Sequence, residues 1–372
     1  MTLVLEQALE LEEILVPGYE KVIKVTNKEI GLKAIICIHD TTMGPALGGI
    51  RIYPYASFEI AFNDVLRLSK GMTYKSAITE SGWGGGKSVI IADPQKNKTK
   101  EMLYSFGQAV DRLQGEYICA EDVGCTPEDV LEIKKATSYV VGLPHKKSSG
   151  NPSPFTAWGT YRGIQSVLKK TTGSESPENR TIAIQGLGSV GCELAKLLFW
   201  NGARLIVSDI NPVKSQAIAE FTGAKIASPR DILSEKCDVF APCAIGSVIN
   251  EQMIPHLNCT AIAGCANNQL FKDSDADELM AAGILYAPDF VINAGGLINV
   301  TQELGVDGYD PIAARDKIHQ LYDQLMVIYE IAEQNRFSTH RAALALANYR
   351  LKYRIGKRTA PPCFHHVITS DG

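Results

Sequence analysis

The sequence predicts an α/β fold in two domains, and three observations carry that prediction. Apolar strand-like runs alternate with amphipathic helical windows along almost the whole chain, which argues for largely parallel sheets. A chain of 372 residues is long enough for two domains of about 150 residues each. From Thr181 onward the alternation becomes regular, strand then helix, which argues for a largely parallel sheet.

In the first half, residues 32–39 read as a strand, and residues 58–69 as a helix with Ile60, Ala61, Val65, Leu66 and Leu68 on its apolar side. Residues 88–92 read as a short buried strand, 101–113 as a helix and 117–120 as another strand. Thr126-Pro127-Glu128-Asp129 combines a capping hydroxyl, a proline at the first helical position and early acids, so a helix starts there. A polar loop over 145–152 separates the halves. Ser153-Pro154 repeats the cap-and-proline device and opens a helix reaching about Lys170. The second half then reads as strand 181–185, helix 189–200, strand 204–208 and helix 212–221. Further strands are expected near 238–241, 261–263 and 284–286. Residues 312–353 are mostly helical, and the tail from Lys357 has no usable period.

Composition narrows the class of function. Hydrophobic residues make up 45% and charged residues 21%, as in an ordinary soluble enzyme. The 37 basic and 41 acidic residues nearly cancel, which speaks against nucleic acid or an anionic membrane as partner. The N-terminus lacks the basic and apolar regions of a secretory signal, and no apolar run reaches the ~18–20 residues of a bilayer span. Nine cysteines, an odd number without a Cys-x-x-Cys pair, are expected as free thiols in a reducing compartment, with no metal site. The expected location is the cytoplasm.

A dinucleotide site is written at residues 185–191. Gly186-Leu187-Gly188-Ser189-Val190-Gly191 follows an apolar strand and opens an apolar helix, the context that a G-x-G-x-x-G pattern requires. Gly186 permits the tight turn, Gly188 lets backbone amides approach a pyrophosphate, and Gly191 lets the helix pack on the strand. The phosphates would then meet the unpaired N–H groups of a helix N-terminus. About 20 residues on, Asp209 ends the next strand, where a carboxylate accepts bonds from ribose hydroxyls and repels a 2′-phosphate. The cofactor is therefore expected to be NAD.

Two lysines stand in unusual local sequence: Lys75 in Gly71-Met72-Thr73-Tyr74-Lys75, and Lys87 after Gly84-Gly85-Gly86. Glycines let a substrate or another backbone approach closely. A phosphate-loop reading of this string fails, because that motif precedes a helix and this one precedes a strand. The third feature is Glu121-Asp122, immediately after a strand, where active-site groups of open α/β sheets gather; either acid could serve. Two lysines and a carboxylate suit α-amino-acid chemistry. One ammonium can hold the substrate carboxylate, the other can act as base if burial and a like-charged neighbour weaken its hold on its proton, and an aspartate can accept the protons of the amine.

These segments resemble the Glu/Leu/Phe/Val dehydrogenase family, most closely its leucine-oxidising branch. The resemblance runs from about Lys33 to Asn299. It includes Gly44-Pro45-Ala46-Leu47-Gly48-Gly49, the two lysine segments, 120–124, Gly150-Asn151-Pro152-Ser153-Pro154, Ala241-Pro242-Cys243-Ala244, Ala266-Asn267-Asn268-Gln269-Leu270 and Ile292-Asn293-Ala294-Gly295-Gly296. It implies that Lys75 binds the substrate carboxylate with help from Asn268, that Lys87 is the general base activating water, and that Asp122 is its acid/base partner. It implies Ser153 and Thr156 beside the nicotinamide, with Cys243, Ala244 and Asn268 also in the cofactor site. The implied layout is a substrate domain over residues 1–148, a Rossmann-type NAD domain over 149–330, a cleft separating them, and C-terminal helices (331–372) packing back on the first. A homo-oligomer is implied as well, an octamer or a dimer.

The implied side-chain pocket is Leu47, Gly48, Met72, Ala120, Val141, Leu297 and Val300, an apolar set without a counter-charge. That argues against glutamate and for oxidative deamination of leucine or another branched-chain amino acid. Leu297 stands where valine is usual in that branch and Val141 where threonine is common. A methylene shifts selectivity by about 1–3 kcal/mol, so phenylalanine or tryptophan is the alternative substrate on the same scaffold. An NAD-sensing protein without catalysis is a remote alternative, since a sensor has no use for the two lysines and the aspartate.

Overall fold

The computed structural model describes residues 8–143, 148–244 and 246–364. The chain divides into two compact units, the first comprising 1–151, 300–311 and 348–372, the second 152–299 and 312–347. The return to the first unit thus begins at Asn348, not at 331, and a short excursion over 300–311 joins that unit too.

The first unit is built on a six-stranded sheet. In chain order its strands are β1 (Leu9–Glu13), β2 (Lys21–Asn27), β3 (Leu32–Asp40), β4 (Ala46–Tyr53), β5 (Gly84–Ile91) and β6 (Tyr117–Glu121), arranged β1-β2-β3-β5-β4-β6. The expectation of largely parallel sheets needs correcting here. β1, β2, β3 and β5 pair antiparallel, and only β4 runs parallel to its neighbours β5 and β6. The sequence signal for β1 and β2 was weak for a reason: Leu-Glu-Leu-Glu-Glu is a charged edge strand, which blunts sticking to other sheets.

Helices cover both faces. Helix α1 (Phe58–Ile78) buries Ala61 and Val65 against Val22, Ile35, Cys37 and Val89. On the other face α2 (Lys100–Asp111) and α3 (Pro127–Lys134) bury Met102, Phe106, Val110, Val130 and Ile133 against Ile36, Ile50 and Ile90. Thr126 caps α3 as expected, in a reciprocal box with Asp129. Helix α1 runs nine residues past its expected end at 69, through the Gly71 segment, because Ser69, Thr73, Ser76 and Ala77 remain buried against the sheet.

Strand β5 is longer than its apolar core suggested, since Gly84, Gly85 and Gly86 lie within it. Glycine weakens a strand unless another chain segment must come close. Here Thr73 of α1 occupies the place where a side chain at Gly85 would go. Gly85 lets helix α1 press onto the strand that carries Lys87, while Gly84 makes room for the segment from Asp40 to Gly44 and Gly86 for Tyr117.

The second unit holds a six-stranded, all-parallel sheet ordered β12-β11-β10-β7-β8-β9. Its strands are β7 (Thr181–Gln185), β8 (Arg204–Ser208), β9 (Lys225–Ile226), β10 (Cys237–Pro242), β11 (Cys259–Ile262) and β12 (Leu285–Tyr286). Strand order reverses between β7 and β10, the switch point at which open α/β sheets bind ligands. Helices α4 (Ser153–Thr172), α5 (Ser189–Trp200), α6 (Pro212–Thr222), α7 (Asp275–Ala281) and α8 (Asp289–Ile292) surround it. Helix α4 is preceded by Pro152 and has no side-chain cap bond, so Ser153 is its first residue, not its cap.

Helix α9 (Gly295–Thr301) follows, and α10 (Pro311–Asn335) and α11 (Thr339–Tyr353) complete the chain's helices as described. The tail beyond, unreadable in sequence, is anchored in the first unit. Arg358 stacks over Trp83 at 4.3 Å, and its backbone N–H donates to Met43. His365 and His366 lie outside the described residues, as do residues 144–147 at the start of the expected loop.

Candidate active site

In the first unit, Lys87 of β5 and Asp122, just beyond β6, meet although 35 positions separate them in the chain. The Lys87 ammonium lies 2.8 Å from Asp122 Oδ2, with both side chains largely buried. The strand between them supplies the room. A Cβ on Gly49 of β4 would stand 2.7 Å from the Asp122 side chain and 3.2 Å from Lys87 Nζ. Glycine at 49 therefore leaves the space in which the pair forms.

Sequence reasoning missed a third charge, Arg51. Its Nε lies 3.4 Å from the same Asp122 oxygen, and its Nη1 donates to Asp64 Oδ2 of α1 at 2.9 Å. Tyr55 donates its hydroxyl to that Asp64 oxygen at 2.5 Å. The signal was present, an arginine inside the otherwise apolar run Gly48-Gly49-Ile50-Arg51-Ile52. Arg51 is a second cation on the Asp122 oxygen that Lys87 faces. Burial alone would raise the Asp122 carboxyl, but Lys87 and Arg51 hold it well below the usual carboxylate range. Its competitor Glu121 behaves oppositely, pushed up to about 6 by burial, by Asp122 and by Glu128.

Lys75 occupies the last turn of α1, two residues beyond Thr73, whose backbone presses on Gly85 of β5. Met72 precedes Thr73 on the same helix. Of the apolar pocket candidates, Leu47 pairs with Gly85 and Ile118, Gly48 with Cys119, and Ala120 with Gly49. Val141 donates its backbone N–H to Cys119 O at 3.0 Å. Val300 lies 3.9 Å from where a Cβ on Gly142 would stand. Leu47, Ala120, Val141 and Val300 are all buried in the first unit, which also carries Lys87 and Asp122. Leu297 is buried one turn before Val300 on α9 but belongs to the second unit, as does Asn268, which adopts left-handed backbone with φ +51°.

A further carboxylate organises this edge of the first unit. Glu303 accepts from Gly142 N at 3.1 Å, Ser148 Oγ and Ser149 N at 2.8 Å each, and from the Ser149 hydroxyl. It fastens the segment after Val141 to the segment after Val300.

In the second unit, the turn after β7 has the geometry a dinucleotide needs. Gly186 has φ +98°, and Ala244, beyond β10, fills the place of any side chain there at 2.7 Å. Gly188 opens α5 with nothing within 4 Å of its missing Cβ, and Gly191 packs against the Gly186 carbonyl. Ser189 is exposed, Val190 half-buried and Leu187 buried. Asp209 Oδ2 accepts from Leu187 N at 2.7 Å and its Oδ1 from Asn211 N at 2.8 Å, so the acid also shapes the turn. Cys243 N donates to Gln185 O at 2.7 Å, closing the other side. Thr156 Oγ1 donates to Pro152 O and would meet a Cβ on Gly296 at 2.9 Å; Ser153 is buried at the start of α4. The open glycine, the free helix N-terminus and the carboxylate fit a nicotinamide dinucleotide.

All nine cysteines are free. Among the described residues no three His, Cys, Asp or Glu side chains gather as metal ligands, and no helix is long and apolar enough to cross a membrane.

A dinucleotide-binding unit joined to one carrying a buried lysine–aspartate pair defines a dehydrogenase of the amino-acid type. Comparison with known proteins agrees. The Glu/Leu/Phe/Val dehydrogenase dimerisation domain matches residues 20–139, and the Glutamate/Leucine/Phenylalanine/Valine dehydrogenase domain matches 206–352. The leucine dehydrogenase of Geobacillus stearothermophilus is 49% identical over 94% of this chain and 96% of its own length. An L-tryptophan dehydrogenase of Nostoc punctiforme is 45% identical over 90% of this chain and 94% of its own. The crystal structure of L-tryptophan dehydrogenase from Nostoc punctiforme superposes with a TM-score of 0.77 at 41% identity, covering 96% of this chain and 100% of the other. The chain belongs to the Glu/Leu/Phe/Val dehydrogenase family. It is an enzyme, an amino-acid dehydrogenase working with a nicotinamide dinucleotide, NAD or NADP.

Proposed function

We propose that the chain catalyses the NAD-dependent oxidative deamination of L-leucine and other branched-chain amino acids to the 2-oxo acid, ammonium and NADH, and the reverse reductive amination. The observation that carries this reading is the buried Lys87–Asp122 pair, taken with proposed side-chain positions that carry no charge. Leucine dehydrogenases 47–49% identical over at least 90% of the chain support leucine over the aromatic substrates. The proposed side-chain positions offer no charge to pair with a glutamate side chain, whose burial unpaired would be costly.

Lys75 binds the substrate carboxylate, with Asn268 assisting, and Leu47, Gly48, Met72, Ala120, Val141, Leu297 and Val300 receive the side chain. The glycine turn from Gly186 to Gly191, Asp209, Ser153, Thr156, Cys243, Ala244 and Asn268 hold the cofactor. A nicotinamide dinucleotide held there would supply the hydride acceptor for the substrate Cα. Asp122, ionised, takes one proton from the substrate ammonium, so that the free amine supports loss of the hydride, and then hydrogen-bonds the iminium that follows. Lys87, as the free amine, takes a proton from water as the oxygen adds to the iminium carbon. Asp122 returns its proton to the carbinolamine nitrogen, and the C–N bond breaks as the carbinol O–H proton passes to the departing ammonia, which leaves as ammonium; the proton on Lys87 passes to water. Asp209 favours NAD because a 2′-phosphate would meet its charge. The proposal includes a cytoplasmic location and assembly of identical chains, supported by the dimerisation-domain match over 20–139.

Initial rates with leucine, valine, isoleucine, phenylalanine, tryptophan and glutamate, each with NAD, test the substrate. The expected order puts the branched-chain amino acids first and glutamate last; an aromatic amino acid leading in kcat/KM would overturn the leucine reading. In the same assay K87A is expected to lose about 10²–10⁴-fold in kcat. Near-normal turnover with K87A removes Lys87 as base.

A further inference from the structure

We propose that Arg51 is a positioning residue for the reaction: its guanidinium, fixed by Asp64 and Tyr55, clamps the Asp122 carboxylate in place against Lys87. The inference deepens the proposed function and rests on its reading of Asp122.

Four groups from separate parts of the first unit make the cluster. Arg51 comes from β4, Asp64 from α1, Tyr55 from the turn between them, and Asp122 from the end of β6. Arg51 spans the two acids, with Nη1 on Asp64 at 2.9 Å and Nε at 3.4 Å from Asp122. Tyr55 donates to the same Asp64 oxygen, so Asp64 is held from two sides. Lys87 approaches the Asp122 oxygen that Arg51 also faces. Two cations and two carboxylates thus balance in a largely buried group. A buried acid in such a setting needs a partner on every side that lacks water.

The division of labour follows from geometry. Asp122 has one contact to Lys87, which must change during proton transfer, so that contact cannot also fix the carboxylate. Arg51 supplies the contact that persists. Its planar fork reaches two acids at once, which the single ammonium of lysine does not. Burial would lower the Arg51 guanidinium, yet Asp122 and Asp64 hold it raised, so the clamp stays charged throughout the working range.

A simpler role is a tie between β4 and α1 that stabilises the unit without touching the reaction. A double-mutant cycle on the purified full-length enzyme separates the two. R51Q is expected to lower kcat about 10- to 100-fold, since small misplacement of a reacting group costs that much. NADH binding, followed by fluorescence titration, is expected to stay unchanged. In a D122N background the further loss from R51Q is expected to shrink to less than about threefold, because coupled residues are not additive. R51K is expected to recover part of the loss. Factors that multiply in R51Q/D122N, or a kcat loss that follows the melting curve, would overturn the clamp. If R51Q does not fold, D64N asks the same question by loosening the guanidinium, with the same collapse expected on D122N. A D122N enzyme with near-normal turnover is a different failure: it removes Asp122 from the proposed mechanism, and the clamp with it.

Discussion

Glu121 and Asp122 are chain neighbours with opposite protonation behaviour. Asp122 faces two cations; Glu121 faces burial, Asp122 itself and Glu128. The Glu121 carboxyl, lifted from 4.5 to about 6, binds its proton more tightly folded than unfolded. Its contribution to stability is therefore complete below about 4.5 and lost as pH rises through about 6. Denaturant midpoints between pH 4 and 7 should fall with rising pH more steeply for the native enzyme than for E121Q. Equal slopes would show that Glu121 does not titrate in that window. At this scale much of the site was legible. Lys87 and Asp122 stood out because glycines and a strand end flank them. Arg51 did not, because its partners lie 13 and 71 positions away, and its place in an apolar run does not say which acids pair it. Glu121 remained a rival to Asp122 in sequence, since only the packed neighbours decide which acid stays ionised.

Elements were legible where the apolar pattern was strong and lost where another element supplied the reason for a residue. The second sheet, with runs such as Thr-Ile-Ala-Ile-Gln, reads directly, as buried parallel strands do. Strand β4 does not, because Gly48 and Gly49 weaken its pattern. Those glycines serve Gly86 of β5, whose carbonyl occupies the space beside Gly48, and the Lys87–Asp122 pair beside Gly49. Glu303 belongs at this scale too, joining two segments that line the proposed side-chain pocket. E303Q replaces an acceptor oxygen with a donor, facing the donors of Gly142, Ser148 and Ser149. An unmet buried polar group costs about 1–3 kcal/mol. Should that loss fall on substrate binding, KM for leucine rises about tenfold, at 1.4 kcal/mol per decade. The KM for NAD is expected to stay put. A change in both constants together, or in neither, would place Glu303 outside the pocket wall.

The whole molecule divides its chemistry between two units that the chain enters more than once. It passes from one to the other after residues 151, 299, 311 and 347, and the second passage falls inside α9. No turn or change of composition marks that point, since the helix is apolar on both sides of it. This is why two domains were legible and their boundaries were not. The division has a measurable consequence at Asp209, which belongs to the second unit, whereas Lys75, Lys87 and Asp122 belong to the first. Both its oxygens accept backbone N–H groups, one from Leu187 in the glycine turn. D209N removes the charge and keeps the size of the side chain, but its amide can accept from only one of the two N–H groups. A hydrogen bond to a charged acceptor contributes about 1.5–3 kcal/mol, so KM for NAD should rise by about tenfold or more. The loss of repulsion should act the other way on NADP, raising its kcat/KM relative to NAD. Meanwhile KM for leucine and kcat at saturating NAD should hold, because Lys75, Lys87 and Asp122 are untouched. Full kinetics with both dinucleotides measure all four quantities in one preparation. An unchanged NADP to NAD ratio would remove Asp209 as the selector, and a parallel rise in KM for leucine would mean that the two units do not carry their tasks separately.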